Sequence, residues 1–467
     1  MATTVFERRR PAESVIDAAL RDTRHAVFWL EDVDRPEHPP LTADTRADLV
    51  VVGGGYTGLW TAVRAKERDP ERRVVLLDAS RVAWAASGRN GGFCEASLTH
   101  GHDNGVNRWP EEIDRLDELG RENLDGIERA VRTYDMRVDF ERTGQLALAV
   151  EPHQVEWLRD EPGFLDEAAV QSEVHSPTYL AGAWDRDGCA LVHPAKLGME
   201  LARVALDLGV EIHEHTIVRG IDADRDGPVA LLTSGGTVRA DAVALATNVF
   251  PSLLRRNRLM TVPVYDYVLM TEPLTTEQLS SIGWSNRQGL ADSANQFHYY
   301  RLTADDRILF GGYDAVYHFG GKVRPEYEDR PESHRRLASH FFTTFPQLEG
   351  IRFTHRWAGA IDSSSRFCAF FGTARKGRVA YATGFTGLGV GAARFAADVM
   401  LDLLSGRPTE RTELRMVREK PLPFPPEPAA SIGINLVRAA MDRADHNEGR
   451  RNLFLRTLDA LGMGFDS

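Results

Sequence analysis

The sequence predicts an α/β protein, a parallel sheet wrapped by helices with a second domain built on a mixed sheet. Three observations predict it. Residues 48–78 read in order as strand, glycine turn, helix, strand and acid. Residues 377–404 repeat the strand, glycine turn and helix far down the chain. Between them, residues 261–345 carry several short strands rich in tyrosine, including Tyr265, Tyr267, Tyr299, Tyr300 and Tyr313, which read as a mixed sheet forming a cap.

The first stretch is DLVVVGGGYTGLWTAVRAKERDPERRVVLLD. The apolar run 49–52 is a buried parallel strand. Gly53, Gly55 and Gly58 then make G-x-G-x-x-G, a helix runs over 57–68, and a second apolar run, 74–77, ends at Asp78. This is a complete βαβ unit. Gly53 permits the tight turn, Gly55 lets backbone approach a pyrophosphate, and Gly58 lets helix pack on strand. The helix N-terminus offers unpaired N–H groups to the phosphates. Asp78 lies 20 residues beyond Gly58. Its carboxylate suits the ribose hydroxyls of an adenosine and repels a 2′-phosphate, which argues against NADP. The motif alone leaves NAD and FAD both open.

Composition narrows the function. Asp and Glu number 68 against 56 Lys and Arg, a net charge of −12, which disfavours nucleic acid and anionic membrane as partners. No apolar run approaches the roughly 18 residues of a membrane helix. The N-terminus MATTVFERRR has charge but no apolar signal core. The three cysteines, Cys94, Cys189 and Cys368, form no C-x-x-C. A cytoplasmic protein without disulfides or a structural metal is the expectation.

In chain order, residues 1–46 form an arm, with one helix expected over 13–29 and no readable function. Residues 85–93, AASGRNGGF, are too polar and glycine-rich for a core element, and form a loop where backbone meets a ligand. Its donors suit a pyrophosphate or a flavin edge. A helix is expected over 109–134 from Ile113, Leu116, Leu119, Leu124 and Ile127. Strands are expected over 138–150 and 181–192. His193-Pro194 opens a helix to about residue 208, and 210–215 returns to strand, giving a second βαβ-like crossover. A hairpin over 217–239 turns at Asp226-Gly227 and Gly235-Gly236, and 241–248 is a buried strand ending on Thr247 and Asn248. Strands at 262–270, 297–301 and 307–312 and a helix at 334–345 build the cap. Five prolines in 421–428 mark an extended linker before a helical appendage.

The second glycine turn, Gly384 to Gly391, decides the cofactor. One glycine turn is filled by the pyrophosphate. Another, feeding the N-terminus of a second helix, needs an electron-rich group. The pyrimidine end of a flavin carries negative charge when reduced and is stabilised there. NAD enzymes have no such need, so FAD is the expected cofactor.

These motifs together resemble a family. VVGGGYTGLW at 51–60, ASGRNGG at 86–92, HPAKL at 193–197, TEPL at 271–274, YYRLT at 299–303, ILFGGY at 308–313, WAGAID at 357–362 and ATGFTGLGV at 382–390 occur in order. The chain resembles the FAD-dependent oxidoreductases of the D-amino-acid oxidase and glycine oxidase type, within them the putrescine-derivative oxidase branch. The resemblance implies a Rossmann-like, glutathione-reductase-type FAD-binding domain from residues 47–108, 190–260 and 350–408. It implies a substrate domain from 109–189 and 261–349, and an appendage over 409–467. It implies non-covalent FAD held at Gly53, Gly55, Tyr56, Thr57, Gly58, Asp78 and Ala79. Ser87, Arg89, Asn90, Gly91 and Gly92 follow along the pyrophosphate and flavin. Val218 and Thr247 are further cofactor contacts, with Gly384, Phe385, Thr386, Gly387, Leu388, Gly389 and Val390 at the pyrimidine end. The implied reaction oxidises the C–N bond of an amine or amino acid to an imine that is then hydrolysed, with O2 as electron acceptor. A dehydrogenase feeding a quinone or carrier, and a non-catalytic FAD-binding subunit, are the alternatives. Tyr267, Tyr300, Arg301 and His355 are the candidates for lining the substrate cavity. Where some relatives carry a lysine that activates O2, Phe310 aligns. Where relatives often have Ser-Gly-His-Gly, this chain has Thr386-Gly387-Leu388-Gly389.

Overall fold

The computed structural model describes residues 3–223 and 227–460. Strand Thr45–Val52 is the axis of one sheet. Leu49, Val50 and Val51 are wholly buried. They are covered on both faces, which is why they read as an apolar run and not as an alternation. This strand pairs in parallel with Val74–Leu77 on one side and Thr237–Leu245 on the other. Glu211–His213 adds a parallel neighbour to Val74–Leu77, and Val379–Thr383 adds one to Thr237–Leu245. The two glycine turns therefore leave the C-terminal ends of parallel strands one strand apart, the edge where open α/β sheets bind ligands.

Helices Tyr56–Arg68 and Gly389–Ser405 start from those turns and pack on each other. Ala62, Ala65, Ala393, Ala396 and Ala397 lie in their shared core and permit the close approach. A charged clamp crosses the same contact. Asp398, nine-tenths buried, accepts from Arg64 Nε at 3.0 Å and Arg68 Nη2 at 2.7 Å. Burial alone would raise its pKa, but the two guanidiniums outweigh burial and hold it below the usual carboxylate range.

The second sheet runs in the order Arg24–His25, Phe353–Ser364, Thr261–Thr271, Ile308–Gly312, His298–Leu302, Gly289–Asp292, Gln145–Ala149, Ala181–Asp185, Phe164–Leu165. Its two faces differ. Tyr265, Tyr267, Leu269, Tyr300 and Phe310 point into a core shared with helix Pro331–Thr344. Val268, Met270, Leu309 and Trp357 point the other way, onto Phe28 and Trp29. Alternation along a strand fixes this division.

Several expectations change. The helix over 13–29 is two helices, Glu13–Leu20 and Phe28–Glu31, because Arg24–His25 pairs in parallel with His355 and Arg356. The run 181–192 breaks into Ala181–Asp185 and Cys189–Leu191. The second strand pairs with Phe93–Glu95 in a separate ribbon. Helix Pro194–Asp207 thus links two sheets and is no crossover within one. Phe353–Ser364, expected with the nucleotide-binding segments, is a strand of the mixed sheet. The turn expected at Asp226 lies outside the described residues, whereas Gly236 turns with φ 148°. The C-terminal helix Ala429–Asp445 docks on the cap, where Asp445 accepts the backbone N–H groups of Asn295 and Gln296. Among the described residues no helix is long and apolar enough to cross a membrane.

Removing Asp398 takes one of two acidic partners from each of two partly buried guanidiniums, leaving Arg64 with Glu67 and Arg68 with Asp402. Asp398→Ala should destabilise the protein by about 3 kcal/mol at neutral pH, read as a lowered unfolding midpoint. A depressed native pKa stabilises above the unfolded value and is lost as pH falls. The gap between wild type and variant should therefore narrow on acidification through the carboxylate range.

Candidate active site

The first turn is built by missing side chains. Gly53 sits at φ 111°, and a Cβ there would lie 2.3 Å from the Ala246 carbonyl oxygen, beside Thr247. A Cβ on Gly58 would lie 1.8 Å from the Gly53 carbonyl oxygen, so the helix touches the turn directly. Gly55 caps the helix, half-exposed, and a Cβ there would meet Ser87 Oγ at 2.9 Å. Ser87 Oγ accepts the Tyr56 N–H at 3.0 Å. The Tyr56 side chain points inward, its hydroxyl donating to the Pro194 carbonyl, so only its backbone belongs to the turn. Thr57 stays half-exposed on the first turn of the helix.

Asp78 ends its strand at the neighbouring position. Its Oδ2 accepts the Gly54 N–H at 2.7 Å and its Oδ1 the Ser80 N–H at 2.7 Å. Burial pushes its pKa up against those two bonds. Thr216 N–H donates to the Asp78 carbonyl, which draws the start of strand Val218–Ala223 toward Asp78 and the exposed Ala79.

Two tryptophans and an asparagine hold the polar loop 87–92. Trp29 Nε1 donates to the Asn90 carbonyl at 2.9 Å and Trp357 Nε1 to the Arg89 carbonyl at 2.8 Å. The Asn90 amide bonds Ala86 and Ser87 carbonyls, while its Oδ1 accepts the Gly92 N–H. The arm with no readable role thus braces this loop through Trp29. Arg89 reaches Glu328 and the Trp84 carbonyl. Gly92, at φ 81°, abuts the Val192 carbonyl oxygen.

The second turn is fastened by Asp362. Its Oδ2 accepts the Gly384 N–H at 2.5 Å and the Thr383 hydroxyl at 3.1 Å. Burial raises the Asp362 pKa to about 6. Thr386, at φ 51°, accepts the Ser364 N–H on its hydroxyl. Gly387, at φ 97°, has open space around it, and Gly389 meets only Phe385. The side chains of Phe385, Leu388 and Val390 are buried in the core.

The cavity candidates fare differently. Tyr300 points into the helix-side core, its hydroxyl 2.7 Å from that of Tyr179 and its ring stacked on Phe310. Tyr267 is wholly buried on that same side, donating to the Tyr327 carbonyl. His355 belongs to the arm contact, 2.6 Å from Arg24 Nη2 and 3.1 Å from Glu31 Oε2. Arg301 does face the loop, but its guanidinium donates to the Val192 carbonyl at 2.7 Å. Burial lowers its pKa to about 10. Phe310, aligned with the O2-activating lysine, also points to the helix side, and Leu309 and Gly311 take the loop-facing positions. Choosing the tyrosines one residue out of phase selected the wrong face, since a strand reverses its side chains at every step.

Asp266 and Tyr299 face the loop as well. Tyr299 donates its hydroxyl to Asp266 Oδ2, and its ring stands edge-on to Phe93 at 5.8 Å. A Cβ on Gly91 or Gly311 would collide with that ring, and Gly359, the cross-strand partner of Asp266, opens toward Arg89. Alternation against the buried Tyr265 and Tyr267 was the available signal for Asp266.

Two glycine turns leaving parallel strands one strand apart, with a mixed sheet beside them, define a nucleotide-binding α/β architecture. The family model described as FAD dependent oxidoreductase matches residues 48–403. The chain belongs to this family of FAD-dependent oxidoreductases. It is 29% identical over 386 residues to gamma-glutamylputrescine oxidoreductase of Escherichia coli, covering 78% of this chain and 85% of that one. It is 26% identical over 389 residues to the probable oxidoreductase OrdL of Haemophilus influenzae, covering 79% and 85%. In fold it is similar to glycine oxidase from Geobacillus kaustophilus, with TM-score 0.64, 18% identity and coverage of 78% and 96%. L-proline dehydrogenase from P. horikoshii matches with TM-score 0.64, 17% identity and coverage of 80% and 95%.

Gly55→Val should yield folded protein without FAD, because two methyls beyond the Cβ fill the approach to the helix N-terminus. The 450 nm to 280 nm absorbance ratio after gel filtration checks it, and full flavin occupancy would contradict the assignment. Tyr300→Phe should leave turnover within about twofold and cost about 1 kcal/mol of stability through one lost buried hydrogen bond. A large loss of turnover at unchanged stability would put Tyr300 back at the substrate.

Proposed function

We propose that this protein oxidises the C–N bond of an amine or amino acid, a gamma-glutamylated polyamine among the candidates. The observation that carries the reading is the way the polar loop 87–93 is held between the mixed sheet and the first glycine turn: Trp357 of the sheet donates to the Arg89 carbonyl, Tyr299 packs on Gly91, and Ser87 accepts the Tyr56 N–H of the turn. The similarity to gamma-glutamylputrescine oxidoreductase supports an amine as substrate.

Bound FAD would accept a hydride from the carbon that bears the nitrogen. The first turn, Gly53 to Gly58 with Thr57, would take the pyrophosphate on the helix N-terminus, and Asp78 the adenosine ribose. The loop 87–92, fixed by Trp29 and Trp357, would lie along the flavin. N–H groups at Gly387 to Val390 would face the pyrimidine end, held in place by Asp362. The product imine is hydrolysed to an aldehyde or keto acid.

We propose non-covalent FAD. Cys94 and Cys368 are wholly buried, and burial pushes the Cys94 thiol up to about 12 and raises Cys368. Protonated, enclosed thiols are poor nucleophiles. For the electron acceptor we propose O2, reduced to H2O2. A second reading, transfer to a quinone or carrier, is favoured by one observation: Leu309 and Gly311, the loop-facing residues of their strand, bring no cation to stabilise superoxide.

Anaerobic mixing of the FAD-loaded protein with a panel of amines and amino acids should bleach the 450 nm band with at least one amine. Stopped-flow mixing of that reduced enzyme with O2 should restore the band faster than free reduced flavin does. Bleaching by no amine overturns the substrate class. Reoxidation by quinone alone overturns the oxidase in favour of the dehydrogenase.

A further inference from the structure

Asp266 is a carboxylate in an unusual place. It sits mid-strand in Thr261–Thr271, on the face turned toward the loop 87–93. A mid-strand acid on a core-facing side is costly unless paired. Tyr299, from strand His298–Leu302, supplies one hydrogen bond to Oδ2. Burial raises its pKa to about 6, while Tyr299 and the backbone N–H groups of Tyr267 and Gly312 pull it down. Yet the side chain is not sealed in, since Asp266, Tyr299 and Gly359 are all only half-buried.

Among the described residues Asp266 takes part in no ion pair. Arg89 is spent on Glu328 and Arg301 on the Val192 carbonyl. An α-amino acid needs a cation for its carboxylate as well as an acceptor for its ammonium, and these two arginines beside the loop are already engaged. Among the described residues, then, this face offers a carboxylate without an ion-pair partner, while the two arginines beside the loop are committed elsewhere.

Resting on the amine-oxidation reading above, we propose that Asp266, oriented by Tyr299, is the anchor for the substrate's ammonium group, and that the substrates are amines lacking a carboxylate next to the reacting carbon. Tyr299 is a positioning residue: its hydroxyl fixes one carboxylate oxygen, and its ring, packed between Gly91 and Gly311, fixes the hydroxyl. The pair also gives the reaction a place for one proton. An ammonium has no lone pair, so it must lose a proton before its carbon can give up hydride. That proton passes from nitrogen to the Asp266 carboxylate, breaking one N–H bond and forming one O–H bond. Both partners become neutral, which relieves the cost of holding charge in a largely buried place.

The test uses the FAD-loaded protein under anaerobic conditions. The probe is tert-butylammonium, which carries no hydrogen on the carbon bearing nitrogen and so binds without being oxidised. Perturbation of the flavin spectrum and titration calorimetry report binding. Wild type should bind tert-butylammonium, and should bind the carboxylate probe pivalate at least tenfold more weakly. Asp266→Asn should weaken tert-butylammonium at least tenfold at unchanged FAD content, Tyr299→Phe less, and Asp266→Glu should recover part of the loss. The wild-type comparison stands even if the variants fail to fold. Wild type preferring pivalate, or binding neither probe, overturns the proposal, as does Asp266→Asn with undiminished affinity. The two readings fail separately. Ammonium binding lost in Asp266→Asn, with no amine bleaching wild-type flavin, keeps the anchor and removes amine oxidation. Amines that bleach wild type and Asp266→Asn equally well keep amine oxidation and remove the anchor.

Discussion

A helix and a turn in direct contact set the rest of the molecule. A Cβ on Gly58 would come within 1.8 Å of the Gly53 carbonyl oxygen. No side chain of any kind fits there, so helix Tyr56–Arg68 can lie flush against strand Thr45–Val52 only with glycine at that point. The flush packing brings the helix N-terminus level with the strand ends. It also lets helix Gly389–Ser405 lie alongside, with alanines between them and Asp398 clamped by Arg64 and Arg68. Both helix N-termini then open on one edge of the parallel sheet. Widening that contact by one methyl group would lift the helix off its own turn.

The mixed sheet completes the arrangement through backbone contacts. Trp357 ties the sheet to the loop 87–92 through the Arg89 carbonyl, and Trp29 ties the N-terminal arm to the same loop through Asn90. Asp362, near the end of the same strand as Trp357, holds the Gly384 turn. One strand, Phe353–Ser364, therefore positions both the polar loop and the second glycine turn. Its residues belong by hydrogen bonding to the sheet that covers the site and by function to the nucleotide edge. A boundary drawn at residue 350 divides something the fold keeps whole.

Much of this was legible from residues alone, for physical reasons. A strand buried on both faces is an apolar run, and a turn without Cβ atoms is a run of glycines, so 48–78 and 377–404 declare themselves. Asp78 and Ser87 followed from spacing and polarity, and both meet the first turn. What failed was phase. The cap strands were recognised, but periodicity of two does not say which set of residues faces the ligand. Tyr267 and Tyr300 were chosen where Asp266 and Tyr299 face the loop, and Phe310, aligned with the lysine of some relatives, stacks on Tyr300. The crossover after His193 failed for a related reason, because local pattern shows that a strand forms and not which sheet receives it. Trp29 was invisible because its partner, the Asn90 carbonyl, is far away in sequence.

The central claim is geometric: one ligand spans both glycine turns, and its reactive end lies under the face that carries Asp266 and Tyr299. A crystal structure of the FAD-loaded protein measures this directly. The account predicts the pyrophosphate at Gly53 to Gly58, the pyrimidine edge at Gly387 to Val390, and the ring along the loop 87–92 with the Asp266 carboxylate on its open side. A ring lying on the Tyr300 side of the sheet, or an Asp266 walled off from it, would contradict the account.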